Sequence, residues 1–433
     1  MSTDKLALLV GGGPAPGINS VIAAATIRAI LQRVEVLGIR GGFEEIMHGK
    51  VDGVRALRLE DVSRIHFRGG SVLGTSRANP TRSATYLDNV VQALEHLGVT
   101  QLITIGGDDT AFSAMKVAEH GDGRIRVVHV PKTIDNDLDL DPNVDTFGYQ
   151  TARHVGVDLV KNLMVDARTM SRWYFVIAMG RKAGHLALGI GKAAGTTLTL
   201  IPEEFPSYRT TLATLVDTLV GAIIKRQADG RADGVAVLAE GLVESLPEED
   251  LHALGAVEYD DHGHIRLAEI DIGDGLKKAT ARRLKGLGIK SSIVPKNIGY
   301  ELRCADPIPY DMEYTRDLGY CAAKYLLSGG DAAMVSLRGG HFVPIPFAQM
   351  LDPQTGRTRV RMVDIHSTRY AIARRYMIRL RRDDFEDPAT VARFASVAQL
   401  TPEEFRRQFA YVVENEAPPL DMLHRDDVSP PVA

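Results

Sequence analysis

Residues 6–33 read LALLVGGGPAPGINSVIAAATIRAILQR. Five apolar residues run into a glycine–proline turn, and apolar side chains then recur at 18, 21, 22, 25, 29 and 30. The first run is short and closed by glycine, as a strand buried on both faces is. The second has the three- and four-residue spacing of a helix packed on one side. Strand, glycine turn, helix is the unit of an α/β protein, and the rest of the chain repeats it. VEVLGI (34–39), LITI (102–105) and VVHV (127–130) are further strand-like runs. The pattern restarts after residue 150. A helix fits FGYQTARHVGVDLVKNLMV (147–165), strands fit WYFVIAM (173–179), TTLTLI (196–201) and GVAVLAEG (234–241), and a helix fits 209–226. SSIV (291–294), a helix over 310–328 and AAMVSL (332–337) add more of the same. The predicted class is α/β, doubly wound, with two such domains.

The remainder of the chain departs from this pattern in two places. The charged stretch 244–275 reads as a surface excursion. From about 346 the segment is arginine-rich and helical in pattern, and Thr401-Pro402-Glu403-Glu404 reads as a capping box with proline at the first helical position. DDVSPPVA (426–433) reads as a disordered tail.

The whole chain of 433 residues suits two or three domains at roughly 100–200 residues each. With 45% hydrophobic and 24% charged residues it is an ordinary globular mix. A net charge of −4 argues against a duplex-binding protein, which is more often basic. Cys304 and Cys321 fit no zinc or redox spacing and read as two buried thiols. The N-terminus has no apolar stretch of signal-peptide length, and no run of about 18 apolar residues occurs, so a cytoplasmic protein without membrane contact is expected.

Strand-end turns carry the candidate chemistry, because in a parallel sheet all of them lie at one edge. GGGPAPGIN (11–19) offers backbone N–H groups and a helix N-terminus to an anion. It fits the dinucleotide fingerprint at Gly11 and Gly13 but has Pro16 in third place, with Glu35 where a ribose-binding acid would stand. It fits the P-loop at Gly12 and Gly17 but has Ile18-Asn19 for Lys-Ser. A phosphate cradle of another type, or a plain tight turn, also fits. RGGSVLGTSR (68–77) brings Arg68 and Arg77, and IGGDDT (105–110) brings Gly107 with two adjacent acids, Asp108 and Asp109. PKTIDND (131–137) supplies Lys132, Thr133, Asp135 and Asp137. Such a set meets the needs of phosphoryl transfer: carboxylates for a divalent cation, a base for an acceptor hydroxyl, and a cation for the moving charge. MGRKAG (179–184) adds Arg181, able to clamp a phosphate, and GYELRCADP (299–307) adds Tyr300 and Arg303. Glu240 ends a strand where it can accept from sugar hydroxyls. Ser113-Ala-Met-Lys116 matches S-x-x-K only formally, and no H-E-x-x-H is present.

Taken in order, GGGPAPGIN, GGSVLGTSR, GGDDT, PKTIDND, MGRKAG, AEG and GYELR resemble the phosphofructokinase family over residues 10 to about 345. The resemblance implies the phosphofructokinase fold: two Rossmann-like domains, here followed by a C-terminal helical extension. It implies a donor domain of 1–148 plus about 301–345, a sugar-phosphate domain of 149–300, and the extension at 346–433. It implies transfer of a phosphoryl group to the 1-hydroxyl of fructose 6-phosphate. By position, Gly12, Gly13, Arg77 and Gly107 would meet the donor, and Asp108 and Asp137 the Mg²⁺. Asp135 would be the base, with Thr133 beside it. Met179, Gly180, Arg181, Glu240, Tyr300 and Arg303 would meet the sugar phosphate. Arg172 matches an arginine lent across a subunit interface, which implies a homodimer or homotetramer with shared sites.

Asp109 and Lys132 narrow the donor. ATP-using members typically have glycine where Asp109 stands, and pyrophosphate-using members have Asp and Lys at the two positions. A carboxylate where the α-phosphate of ATP would begin repels it. At about 4 Å and an effective dielectric near 20 that is roughly 4 kcal/mol, or about three decades in affinity. Pyrophosphate is therefore the expected donor, with ATP the alternative. A non-catalytic regulatory subunit is disfavoured by the intact Asp108, Lys132, Asp135 and Arg181. A dinucleotide-dependent oxidoreductase is disfavoured by Pro16.

Overall fold

The computed structural model describes residues 4–141, 144–206, 210–255, 270–351 and 359–417. The predicted disordered tail, and 256–269 of the predicted surface excursion, lie outside these. Eleven strands occur among the described residues: β1 Lys5–Val10, β2 Glu35–Ile39, β3 Val54–Ala56, β4 Gln101–Gly106, β5 Arg126–Pro131, β6 Trp173–Ala178, β7 Leu198–Leu200, β8 Gly234–Ala239, β9 Ile293–Ile298, β10 Ala333–Arg338 and β11 His341–Pro346.

The chain divides into two compact units, Met1–Gly156 with Ile298–Arg361, and Val157–Asn297 with Met362–Ala433. The first holds a seven-stranded sheet in the order β11-β10-β5-β4-β1-β2-β3. Its middle strands β1, β4, β5 and β10 pair in parallel with β2, while β3 and β11 close the edges antiparallel. Leu6–Val10 and Gln101–Gly106 are buried throughout, which is why they read as unbroken apolar runs rather than alternating ones. From β1 the chain winds outward to β2, then returns to the opposite side of β1 as β4. The winding direction therefore reverses between β1 and β4, and the crevice at their C-terminal ends is where an open α/β sheet binds ligands. Val10 lies opposite Ile105, so the two strands release their glycine turns at one level.

The second unit holds a four-stranded sheet, β7-β8-β6-β9, with β6 and β7 each parallel to β8. Ala178 lies opposite Ala239, so the loops after β6 and β8 leave side by side. The helices beyond residue 362 belong to this unit. Phe405 stacks on Phe409 at 5.0 Å and on Phe385 at 5.9 Å, and Lys225 on helix Leu212–Ala228 pairs with Asp384 at 2.6 Å. The expected capping box forms: Glu404 N–H donates to Thr401 Oγ1 at 3.2 Å and Thr401 N–H to Glu404 Oε2 at 2.9 Å.

The cysteines correct the sequence reading. They are free, but Cys304, which caps the short helix Tyr300–Arg303, is exposed, and Cys321, on helix Pro309–Leu327, is half-buried. Among the described residues no helix is long and apolar enough to cross a membrane.

Candidate active site

In the first unit the turn after β1 is built into its neighbours. Gly12 N–H donates to Ser76 O at 2.7 Å and Thr75 Oγ1 donates to Gly12 O at 2.6 Å, which ties GGGPAPGIN to the loop carrying Arg77. Arg77 itself is exposed. Asn19, only 2% exposed, secures the same loop from the other end. Its amide donates to Arg68 O and Gly69 O at 3.1 Å each, and its Oδ1 accepts from Val72 N–H at 2.8 Å. In sequence Asn19 stood only as the wrong residue for a P-loop; its part in holding the second loop is visible in three dimensions alone.

The helix Ile18–Ile30 does not offer its N-terminus to an anion, contrary to the sequence expectation. Residues 15–23 are buried, and a Cβ on Gly17 (φ 106°) would lie 2.5 Å from Thr315 Cγ2. The accessible part of the turn is Gly12–Pro14. Arg303 presses against it, since a Cβ on Gly13 would lie 2.6 Å from Arg303 Nη1. The Arg303 guanidinium also stacks over the ring of Tyr300 at 4.7 Å, and Tyr300 is 75% exposed. The Nε of Arg303 is buried with no hydrogen-bond partner among the described residues.

The two acids of GGDDT occupy the first turn of helix Asp108–Gly121, with Gly107 preceding them. The positive end of the helix favours both carboxylates there. Asp108 is half-buried and Asp109 exposed. Ser113 and Lys116 of the formal S-x-x-K match are spent within this helix, Ser113 Oγ on Asp109 O at 2.9 Å and Lys116 on Glu119 at 2.8 Å.

Lys132, 5% exposed, begins the loop after β5. Its N–H donates to Gly106 O at 2.7 Å, and its ammonium donates to Gly13 O while lying 3.5 Å from the position of a Gly12 Cβ. One residue, through its main chain and its side chain, thus joins the turns after β1, β4 and β5. Asp135, 9% exposed, follows in a turn that Thr133 supports by accepting Asp135 N–H at 3.0 Å. Asn136 has φ 57°, and Asp137 is half-buried.

Beneath these turns lies a residue the sequence reading passed over, His129. It is fully buried. Its Nε2 lies 3.0 Å from Gly106 O, and its Nδ1 lies 2.8 Å from Thr104 Oγ1. A carbonyl can only accept, so Nε2 carries the proton and Nδ1 accepts from the threonine. Burial, with the Lys132 charge adding to it and the Gly106 hydrogen bond opposing, pulls its pKa down from 6.5 to about 3. A neutral imidazole therefore holds the carbonyl that also receives Lys132 N–H. The signal was a single polar residue inside the apolar run VVHV.

In the second unit Met179-Gly180-Arg181 leaves β6 beside Glu240, which leaves β8. Gly180 N–H donates to Glu240 Oε2 at 3.3 Å. Arg181 is exposed with φ 42°. Gly184 N–H donates to Glu203 Oε1 at 2.9 Å, and the same oxygen accepts Val363 N–H at 2.9 Å. Burial raises the Glu203 pKa, with these two N–H groups pulling against it. Arg172 pairs through Nε with Asp166 at 3.1 Å, and Asp166 also accepts from Tyr174 OH at 2.6 Å.

Among the described residues no group of three or more His, Cys, Asp or Glu side chains is arranged to hold a metal ion. Asp108 and Asp137 are both partly accessible hard-oxygen donors. This suits a cation such as Mg²⁺, which takes one or two carboxylates and completes its shell with water and phosphate oxygens.

The phosphofructokinase family (PFK: Phosphofructokinase) matches residues 5–326. A pyrophosphate–fructose 6-phosphate 1-phosphotransferase of Thermotoga maritima is 54% identical over 416 residues, which cover 95% of this chain and 99% of that one. A protein of the same name from Naegleria fowleri is 49% identical over 422 residues, covering 95% and 97%. The crystal structure of a pyrophosphate-dependent phosphofructokinase from Nitrosospira multiformis superposes with a TM-score of 0.65 over 99% of this chain and 96% of that one; at 16% identity it bears on the fold.

Proposed function

The chain belongs to the phosphofructokinase family, and we propose that it reversibly transfers a phosphoryl group from inorganic pyrophosphate to the 1-hydroxyl of fructose 6-phosphate. The products are fructose 1,6-bisphosphate and phosphate. The observation that carries the donor assignment is Lys132. Its buried ammonium reaches back over the β1 turn to Gly13 O, next to the helix that opens with Asp108 and Asp109. A cation there matches a compact, highly charged donor and fills space that a longer one would need. The names of the two relatives at 54% and 49% identity support the same donor.

In this reading Asp135 takes the proton from the 1-hydroxyl as its oxygen bonds to one phosphorus. The bridging P–O bond breaks and inorganic phosphate leaves. Thr133 and the neighbouring turn hold Asp135 in place, and Asp137 orients substrate or cation. Asp108 and Asp137 would hold a divalent cation, Mg²⁺, which neutralises charge on the phosphate oxygens when bound. Lys132, Arg77, the backbone of Gly12 and the N–H groups of Gly13 and Gly107 meet the donor or its transferring group. Arg181, Met179, Gly180, Glu240, Tyr300 and Arg303 meet the sugar phosphate. Similar phosphoric bonds stand on both sides of the reaction, which makes it reversible. We further propose a homodimer or homotetramer in the cytoplasm, with Arg172 exchanging Asp166 for a partner's substrate; light scattering on the purified protein tests the assembly.

The deciding experiment is a coupled assay with fructose 6-phosphate and Mg²⁺, supplied with either donor. Turnover with pyrophosphate and none with ATP is expected. Turnover with ATP alone overturns the donor assignment.

A further inference from the structure

The arginine-rich segment beyond residue 346 has no role in the reading above, yet one of its residues is built into the loop that carries the acids. Val360 forms a bridge to Leu138, and Arg361 N–H donates to Asp137 O at 2.7 Å. The Arg361 side chain then spans the loop. Nε donates to Asn136 O at 3.1 Å, Nη1 to Asp141 O at 3.2 Å and Val144 O at 2.9 Å, and Nη2 to Asn136 Oδ1. The accepting atoms are three main-chain carbonyls and one side-chain amide, gathered from both arms of the loop. Only a guanidinium presents enough donors in one plane to reach them all; an ammonium on a flexible stem does not.

The central contact is Asn136, which separates Asp135 from Asp137. It lies in the left-handed region at φ 57°, uncommon for non-glycine residues though more open to asparagine than to most, and the bonds around it hold it there. Its Oδ1 also accepts Thr146 N–H at 2.9 Å, and its amide donates to Asp145 at 2.9 Å. Arg361 is mostly buried. Burial lowers its pKa, while Asp145, Tyr149, Asp137 and Asp139 oppose that shift and keep the site suited to a cation. Arg361 does not reach the reacting atoms through any of these contacts. It acts on the backbone that aims them.

We propose that Arg361 is a positioning residue, which fixes the backbone of Asn136 and thereby the direction of the flanking carboxylates Asp135 and Asp137. The proposal rests on Asp135 being the base. The segment after residue 346 therefore begins with a part of the catalytic apparatus, and its loss would be felt in the chemical step.

The test compares Arg361→Gln, Arg361→Lys and Asp135→Ser with the unaltered enzyme. It uses steady-state kinetics with pyrophosphate and fructose 6-phosphate, thermal unfolding, and amide hydrogen exchange. Misaiming a catalytic group by an ångström costs roughly 10²-fold. Arg361→Gln should lower kcat by about that factor while both KM values stay within about threefold. Faster exchange should be confined to residues 133–146. Arg361→Lys, which keeps the charge but not the fork, should fall between. A folded Arg361→Gln enzyme with kcat within about twofold of the original overturns the proposal, as does exchange that rises equally in both units. Should Arg361→Gln fail to fold, Arg361→Lys decides: a reduced kcat supports the proposal and an unchanged one overturns it. An active Asp135→Ser enzyme would instead overturn the assignment of the base, whereas an inactive one beside an active Arg361→Gln would dismiss Arg361 alone.

Discussion

The loop after β5 in the first unit and the loop after β6 in the second are held in different ways. Residues 131–137 are braced along their whole length. Lys132 is fixed at both ends, Thr133 supports Asp135, Asn136 is bonded to Thr146 and Asp145, and Arg361 ties the turn together. Residues 179–184 are secured near their ends, by Glu240 at Gly180 N–H and by Glu203 at Gly184 N–H, and the Arg181 side chain between them is exposed. A group that must take a proton from one atom needs a fixed direction. A group that captures a phosphate from solution needs reach. On the proposed assignment of Asp135 as base and Arg181 as phosphate clamp, the first loop serves direction and the second reach, and substitutions in the two should fail differently.

The largest effect should follow Asp135→Ser. A positioned base contributes about 10²–10⁴-fold, and the loss should appear in kcat. The fold should survive, because the Thr133 bond goes to the main-chain N–H of residue 135 rather than to its carboxylate. Near-normal turnover would remove Asp135 from the mechanism and, with it, the reason for so much bracing. Arg181→Ala should come next. A charge-assisted bond to phosphate is worth about 1.5–3 kcal/mol, so KM for fructose 6-phosphate should rise by about 10- to 100-fold. A fall in kcat with KM unchanged would mean that the second loop serves direction as well.

Donor choice tests the same contrast inside the first unit. With an effective dielectric near 20, Asp109 carries about three decades of discrimination. In the structure Asp109 is exposed at a helix start. Water brings a pair at about 4 Å to roughly 1 kcal/mol, less with salt. Asp109→Gly alone should therefore improve ATP use by less than about tenfold. Lys132 is the buried member, and the double variant Asp109→Gly, Lys132→Gly should admit ATP further. Comparison of kcat/KM for ATP in the single and double variants decides between repulsion and filled space.

Much of this was legible in the sequence, and the part that was not has a common cause. The central strands announced themselves as apolar runs because both faces are covered. The antiparallel edge strands of the first sheet did not: VRA of β3 is exposed or half-buried, and HFVPIP of β11 carries two prolines, which an edge tolerates. The acids of GGDDT were legible as a strand-end turn, although acids in a first turn also mark a helix start, which is what the structure has. Arg361 and Asn136 lie 225 positions apart, and no periodicity or spacing connects them. Asn19 and its loop present the same difficulty at shorter range. Local rules read what a segment does with its neighbours in sequence, whereas the bracing of this site is made by residues that meet only after folding.

His129 gives the smallest effect and bears on the rigidity of the first loop directly. Folded, it is neutral with a pKa near 3; unfolded, it returns toward 6.5. Between those values the unfolded chain binds a proton that the folded one does not. Stability should therefore fall as pH falls from 6.5, by about 1.4 kcal/mol per unit from this group. The contribution is complete above 6.5. His129→Gln keeps a donor for Gly106 O and has nothing to titrate, so its unfolding temperature should depend less steeply on pH below 6.5. At neutral pH it should lose about 1 kcal/mol from the bond to Thr104. Parallel profiles for the two proteins would mean that the acid limb belongs to other groups. A flatter profile with unchanged kcat would show that His129 supports the fold of the turn without directing the carboxylates, leaving direction to Arg361 and Asn136.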